Sequence, residues 1–158
     1  MVAVQSYSKL FIVFIQNHQS CVISQCQSFT KNFSDTSLHV YWTGVLRIYA
    51  CDSCCKRWHF TFDGVECTAP LPIDGLVYMQ TGKNQNIHRV RHIEGHCHNI
   101  HKGKVSVGFW VGNCASYENA NAYTGWNSVS RIYVEEVPKP HSRDKTSIPA
   151  TALKTGWL

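Results

Sequence analysis

The sequence is 158 residues long and lacks any long apolar run. The longest is Leu10–Ile15, whose six residues fall far short of the roughly 20 that a membrane-spanning helix requires. This run is also shorter than the roughly 7–15 residues in the hydrophobic region of a usual signal peptide. We therefore expect no membrane span, and we interpret residues 1–23 as an unassigned segment that is a poor match to a signal peptide.

Repeats and familiar catalytic motifs are also absent from the sequence. It contains no Gly-X-Y run, no heptad and no 3.6-residue apolar period, which excludes a collagen stem or a coiled coil within these residues. No Gly-X-Ser-X-Gly, P-loop or His-Glu-X-X-His pattern occurs. We therefore expect that the protein is not an enzyme and needs no cofactor.

Acidic residues are fewer than basic ones, 10 against 15, and the formal net charge is +5. Most of the excess lies after residue 137, because basic and acidic residues nearly balance between residues 38 and 137. A charge spread in this way does not favour a nucleic-acid partner. Residues 138–158, which are rich in Pro, Ser and Thr, are predicted to form a disordered tail.

Cysteine, in contrast, is abundant, with eight residues. An even set in the compact part of the chain consists of Cys51, Cys54, Cys55, Cys67, Cys97 and Cys114. Such a set is typical of disulfides in a secreted protein, Cys26 is a further candidate, and the sequence leaves the pairing open. Because adjacent side chains of an extended chain point to opposite faces, Cys54 and Cys55 should reach different partners and so pin two distant parts of the fold at one point.

The apolar residues alternate as they do in β-strands. Trp58, Phe60 and Phe62 alternate with polar residues and precede Asp63-Gly64, a pair that accepts the positive φ angles of a tight hairpin. Further strands are predicted over residues 38–48, 73–79, 86–93, 104–111 and 128–137. We expect a bulge or bend at Gly44 in the first of these and a buried strand in the second. Short strands at intervals of about ten residues favour an all-β, antiparallel sandwich.

The pattern of conspicuous residues resembles a known family. The stretches that carry the resemblance are Thr43–Arg47, Cys54–Cys67, Pro70–Ile73, Asn86–Arg89, Trp110–Cys114 and Thr124–Ile132. Their order and spacing are similar to those of the C-terminal globular domain of the collagen triple helix repeat-containing protein family, over residues 24–137. We place the globular domain there.

This resemblance implies a disulfide-stabilised jelly roll similar to the heads of complement and tumour-necrosis-factor proteins. It also implies a secreted, non-enzymatic glycoprotein of the extracellular matrix, which forms homotrimers and acts in Wnt–Frizzled signalling and cell migration. Asn32-Phe33-Ser34 fits the acceptor pattern for N-glycosylation, so Asn32 is the predicted glycosylation site.

A metal-dependent or thiol-dependent enzyme is the alternative from a different class. Cys51 and Cys54 have the spacing of a redox pair or a zinc knuckle. His96 and His98 share a face in extended chain and could chelate a metal ion, although the sequence fixes no third ligand. Structural disulfides and exposed histidines are the simpler interpretation of both pairs.

Basic residues cluster in one part of the sequence. The candidates for binding sulfated glycosaminoglycan are Lys83, Arg89, Arg91, Lys102 and Lys104. Arg89 and Arg91 should project from one face of a strand, where each guanidinium can bind a sulfate through two hydrogen bonds. Nearby histidines, among them His88 and His92, are expected to add charge below about pH 6.5. The competing interpretation is a basic edge strand that prevents sheet-to-sheet aggregation.

Overall fold

The structure, a computed structural model, describes residues 9–15, 25–81, 84–117, 119–125 and 127–139, with the backbone alone for 9–15, 25 and 26. The regular elements in these ranges are the strands β1 (Lys9–Ile15), β2 (Gln25–Lys31), β3 (Thr36–Tyr49), β4 (Cys54–Phe62), β5 (Val65–Glu66), β6 (Asp74–Met79), β7 (Arg89–Cys97), β8 (Gly103–Asn113), β9 (Asn121–Thr124) and β10 (Val129–Pro138). The described part of the chain has no helix that could cross a membrane.

The strands form two antiparallel sheets. One has the order β1-β10-β3-β7, with β9 paired to the far end of β3, and the other has the order β2-β8-β4-β5, with β6 also paired to β4. The prediction of an all-β, antiparallel sandwich is confirmed. The jelly-roll arrangement stays a prediction, and the way the chain alternates between the two sheets is compatible with it.

Aromatic side chains join the two sheets. The alternate residues of β3 point inward, so that Val40 and Trp42 are fully buried. Trp42 stacks on Phe109 of β8, in the opposite sheet, with ring centroids 5.0 Å apart, and Phe60 of β4 lies 4.9 Å from the same ring. Such aromatic pairs contribute about 0.5–1.5 kcal/mol each beyond the burial of their area. The core therefore lies where β3, β4 and β8 cross.

The aromatic hairpin has the predicted turn. Asp63 and Gly64 have φ angles of 51° and 82°, and β4 pairs with β5 directly across them. The Asp63 carboxylate accepts hydrogen bonds from the backbone N–H of Ser106 at 2.8 Å and from His101 Nε2 at 2.9 Å. These bonds, the first above all, hold the pKa of Asp63 below its usual value. The carboxylate thus fastens the hairpin to β8.

The bulge expected at Gly44 is not present. The pairing of β3 with β7 runs without interruption through Gly44 and Arg91. Gly44 serves close packing instead, because a Cβ atom there would lie 2.5 Å from Ser130 Oγ and 2.6 Å from the Trp42 ring. The glycine therefore makes room for the indole of the core.

The strand predicted to be buried is a half-exposed edge strand. Gly75, Val77 and Met79 of β6 point inward, whereas Leu76 is 64% exposed and Tyr78 is 47% exposed. The apolar run predicts a buried strand, but among the described strands β6 pairs with β4 alone. Its outer face has no covering element among the described residues.

The segment before residue 24, to which no element was assigned, contains β1. Its backbone pairs with β10 from Lys9↔Glu135 to Ile15↔Val129. The apolar run interpreted as a short signal-like region is therefore an edge strand in this structure. A short apolar run is compatible with both a signal-like region and a buried strand, so the sequence pattern did not distinguish them.

Two glycines on β8 allow a matched test of the packing. At Gly108 a Cβ atom would overlap the Trp110 indole nitrogen and lie 2.7 Å from Thr61 Oγ1, whereas at Gly112 no atom lies within 4 Å. We expect Gly108→Ala to lower the free energy of unfolding by about 1–3 kcal/mol, as overpacking does. Gly112→Ala should change it by less than about 0.5 kcal/mol. Urea unfolding of both variants checks this, and equal effects would contradict the packing described.

Candidate binding surface

All six cysteines of the compact part are paired. The disulfides are Cys51–Cys54, Cys55–Cys114 and Cys67–Cys97. Cys54 and Cys55 do reach different partners, as predicted. The expectation that both partners are distant is wrong for Cys54, because the chain turns back through positive φ angles at Ala50 and Ser53 and returns Cys51 to it. The side chain of Cys26 lies outside the described residues.

The alternative metal or thiol chemistry finds no site in the described part of the chain. Cys51, Cys54 and Cys97 are in disulfides, and no group of three or more potential ligands gathers there. His96 stacks on His39 with ring centroids 4.5 Å apart, while His98 Nδ1 lies 2.7 Å from Ser37 Oγ. The two histidines thus have separate structural partners.

Arg89 and Arg91 lie at the start of β7, which is an edge strand of its sheet. Their position in the alternation is that of Ile93, which is buried, so the three side chains share the inward face of the strand. Arg89 and Arg91 are nevertheless exposed, because the two sheets separate at this end. The predicted arrangement of both arginines on one face agrees with this geometry.

The terminal strands β6 and β7 face each other across the open side of the sandwich. A Cβ atom on Gly75 would lie 3.0 Å from Ile93, and one on Gly95 would lie 2.8 Å from Ile73. β6 and β7 run in opposite directions, so the register of these two contacts places Val77 opposite Arg91.

Beyond that contact the strands enclose a groove with a volume of about 190 Å³. Its lining is largely apolar, with Leu46, Ile48, Val77, Met79 and Ile87. Arg47, Tyr78 and Gln85 also line it, and the exposed Arg89 and Arg91 form its rim. We call this feature the β6–β7 groove.

Arg89 and Arg91 give the rim of the groove a positive charge that no carboxylate of a described residue neutralises. No carboxylate of a described residue lies within ion-pair distance of Arg89 or Arg91, and the guanidinium of Arg91 donates only to the carbonyl oxygen of Val90, at 3.1 Å. Arg57, in contrast, is paired with Glu66 and Asp74. The rim of the groove is therefore a cationic site that can accept an anion.

A third arginine holds the chain that leads into β7. Arg47 is only 4% exposed and lies between the rings of Tyr123 and Tyr49, with its guanidinium carbon 3.8 and 4.5 Å from their centroids. It donates to Asn86 Oδ1 at 2.5 Å. Burial and the positive charge of Arg47 lower the pKa of His88. This fixed cation therefore positions the groove wall and, after burial, further disfavours the charged form of His88.

The four described residues among the five predicted basic ones do not form one cluster. From Arg91 to Cys97 the strand advances about 20 Å, at roughly 3.3 Å per residue, and Lys102 and Lys104 follow only after that end. Both lysines are exposed and lie near the hairpin turn at Asp63. Lys83 lies outside the described residues. The structure thus brings together Arg89 and Arg91 alone.

A comparison with known families identifies the domain. The family model described as CTHRC1, C-terminal domain, matches residues 13–134. The chain belongs to this family. The match agrees with the resemblance noted in the sequence and starts within β1, which is part of the same sandwich. No solved structure matches the chain. Membership of the family makes the chain an extracellular protein module, and the family is not known for enzymatic activity.

A second polar surface lies on the outer face of the β10-β3-β7 sheet. Tyr41 and Tyr133 stack with centroids 4.1 Å apart, and the ring of His92 lies 5.2 Å from Tyr41. The Glu94 carboxylate accepts hydrogen bonds from His92 Nε2 at 2.9 Å and from His39 Nε2 at 2.7 Å. These bonds hold the pKa of Glu94 below its usual value. His92 therefore faces away from the arginines, and its charge adds nothing to the groove. We call this feature the tyrosine–histidine face.

The predicted glycosylation site lies on a firmly held loop. Asn32 is exposed, as an acceptor must be, while its backbone N–H donates to Glu136 Oε2 at 2.8 Å. Glu136 is fully buried and also accepts from the N–H of Phe33 at 2.8 Å and from Thr36 Oγ1 at 2.6 Å. Whether Asn32 carries a glycan stays a prediction.

Sequence reasoning missed both the groove and the anchor at Glu136. Val77 and Arg91 are distant in sequence, and they meet only because β6 and β7 end their respective sheets on the same side. For Glu136 there was a usable signal: a glutamate at an inward position of a strand, between Val134 and Pro138, is rarely buried without several donors.

Glu136 makes the domain sensitive to acid. Burial raises its pKa, but hydrogen bonds from Thr36, Asn32 and Phe33, together with Lys31, outweigh burial and lower it overall. A lowered pKa contributes stability above the unfolded value, about 4.3, and that contribution is lost as the pH falls through the folded pKa. We expect Glu136→Gln to cost about 1–3 kcal/mol at pH 7 and to reduce the loss of stability in acid.

The control for this prediction is Glu135→Gln, since that side chain lies on the other face of β10 and is 35% exposed. Denaturant unfolding between pH 7 and pH 3 provides the measurement. Parallel curves for parent and Glu136→Gln would contradict the role of this carboxylate.

Proposed function

We propose that the domain is a non-enzymatic binding module of the extracellular matrix and cell surface, and that Arg89 and Arg91 hold sulfated glycosaminoglycan there. The observation that carries this proposal is the pair of arginines on one face of a terminal strand, exposed and without a carboxylate partner among the described residues. Sulfate is a strong acceptor for the planar guanidinium fork. The disulfides support an oxidising, extracellular setting.

The competing interpretation of the arginines is protection of an exposed strand edge. It requires positive charge on β7 but no particular orientation. The shared inward face of the two side chains, toward an open groove, is better suited to binding an anion. A role in Wnt–Frizzled signalling and in cell migration is part of the proposal, and it rests on membership of the family and on the resemblance.

Heparin chromatography tests the glycosaminoglycan proposal. The variant with both Arg89→Ala and Arg91→Ala should elute at clearly lower salt than the parent. Exposed ion pairs contribute up to about 1 kcal/mol each, so the affinity should fall about 5- to 30-fold. The matched control carries Lys102→Ala and Lys104→Ala, which removes the same charge at the other end of the sandwich.

The two variants separate local from general attraction. If they elute together, heparin responds to net charge and the arginine site is not supported. Co-elution of the arginine variant with the parent would leave β7 as a protected edge.

We also propose that the domain forms homotrimers through the tyrosine–histidine face. Tyr41 and Tyr133 offer stacked, half-buried rings there, and aromatic residues are enriched where protein surfaces meet. The family resemblance suggests the threefold assembly. In a closed threefold ring this face of each subunit would pack against a second, different patch of its neighbour.

Multi-angle light scattering at micromolar concentration tests this assembly. The parent should have three times the mass of one chain, and Tyr133→Arg should shift it to the monomer. Leu76→Arg is the control, because Leu76 is 64% exposed on the opposite sheet. A monomeric parent, or a Tyr133→Arg variant with the parent's mass, would overturn the proposal.

A further inference from the structure

The β6–β7 groove has a feature that binding of a polysaccharide does not use. The buried side chains of Leu46 and Ile48, together with Val77, form an apolar floor in the groove that Arg89 and Arg91 also line. Glycosaminoglycan is polar over its whole length and gains little from such a floor, since the hydrophobic effect scales with apolar area. The combination of an apolar floor and a cationic rim is suited to a ligand with an apolar part and an anionic end.

The size of the groove limits that apolar part. Its volume is about 190 Å³. A cavity of about 150 Å³ accepts benzene, whereas sites for larger organic ligands occupy about 300–1,000 Å³. The groove therefore accommodates a single aromatic ring and is too small for a long acyl chain.

The rim limits the anionic end. Arg91 is set opposite Val77, so an anion held by the guanidinium lies above a ring seated on the floor. Arg89 follows on the same face, about 7 Å along the strand, and can approach the same group. Two planar donors converging on one anion favour a tetrahedral oxyanion with several acceptor oxygens. In an extracellular module the aromatic oxyanion that meets this description is a tyrosine O-sulfate.

We propose that the β6–β7 groove binds an O-sulfated tyrosine of an extracellular partner peptide. The ring occupies the apolar floor, and the sulfate ester accepts hydrogen bonds from Arg89 and Arg91. The inference shares these arginines with the glycosaminoglycan proposal, but it depends in addition on the floor. Ile87, which is 40% exposed at the groove wall, contacts the ring from the side.

Fluorescence polarisation with labelled peptides tests the inference on the full chain. The probe is a short peptide of Gly, Ser and Ala with one central sulfotyrosine. Its comparisons are the same peptide with unmodified tyrosine and with O-sulfated serine. We expect the sulfotyrosine peptide to bind at least tenfold more tightly than either, because only it has both the ring and the sulfate.

Two kinds of variant separate the floor from the rim. Ile87→Ser and Val77→Thr should weaken sulfotyrosine binding at least fivefold while heparin elution stays unchanged, which also reports that the variants are folded. The variant with Arg89→Ala and Arg91→Ala should lose both ligands, and the variant with Lys102→Ala and Lys104→Ala should keep the peptide.

The outcomes distinguish this inference from the proposed function. Equal affinity for the sulfotyrosine and sulfoserine peptides, or no effect of Ile87→Ser and Val77→Thr, would overturn the inference and leave heparin binding intact. Loss of heparin binding by both double variants alike, with sulfotyrosine binding lost only in the arginine variant, would overturn the glycosaminoglycan proposal and support the groove.

Discussion

The contact between Trp42 and Phe109 is the interaction on which the rest of the structure depends. It joins the middle strands of the two sheets, and its Trp42 ring leaves no space for a side chain at Gly44. Once β3 and β8 are fixed across this contact, every other strand is added by backbone pairing outward from them. The terminal strands β6 and β7 are therefore placed by the core, although neither contributes much to it.

Separation of the sheets away from this contact produces the groove. Twisted sheets that pack closely at their centre diverge toward their corners. Along the middle of β7 the gap is closed by Ile73 and Ile93, which meet glycines of the facing strand. Two residues nearer the start of β7 the longer, charged side chain of Arg91 replaces the isoleucine, and Arg47, held against two tyrosines, keeps the wall in place. The opening is thus built from the same strands that form the core.

Much of this fold could be predicted from the sequence, and the part that could not has a physical reason. The alternation of Trp58, Phe60 and Phe62 and the positive φ angles of Asp63-Gly64 are local properties, so the hairpin was predictable. Sheet order is not local, and without it β6 was taken for a buried strand. The same limit applies to the site: the shared face of Arg89 and Arg91 follows from the period of a strand, whereas their distance from Lys102 and Lys104 follows from topology.

The inward face of β7 shows how a core pattern can mark a binding site. From its end backward the inward residues are Cys97, Gly95, Ile93, Arg91 and Arg89. The first three are suited to a closed interior, where a disulfide, close packing and an aliphatic side chain exclude water. The change to arginine occurs opposite Val77, where the two side chains are exposed at the groove, since an unpaired guanidinium could not be buried at the positions before. The inward positions of β7 thus keep their period of two while their residues change from apolar to cationic, and this change indicates where the sandwich opens. It places positive charge next to the apolar residues of the groove.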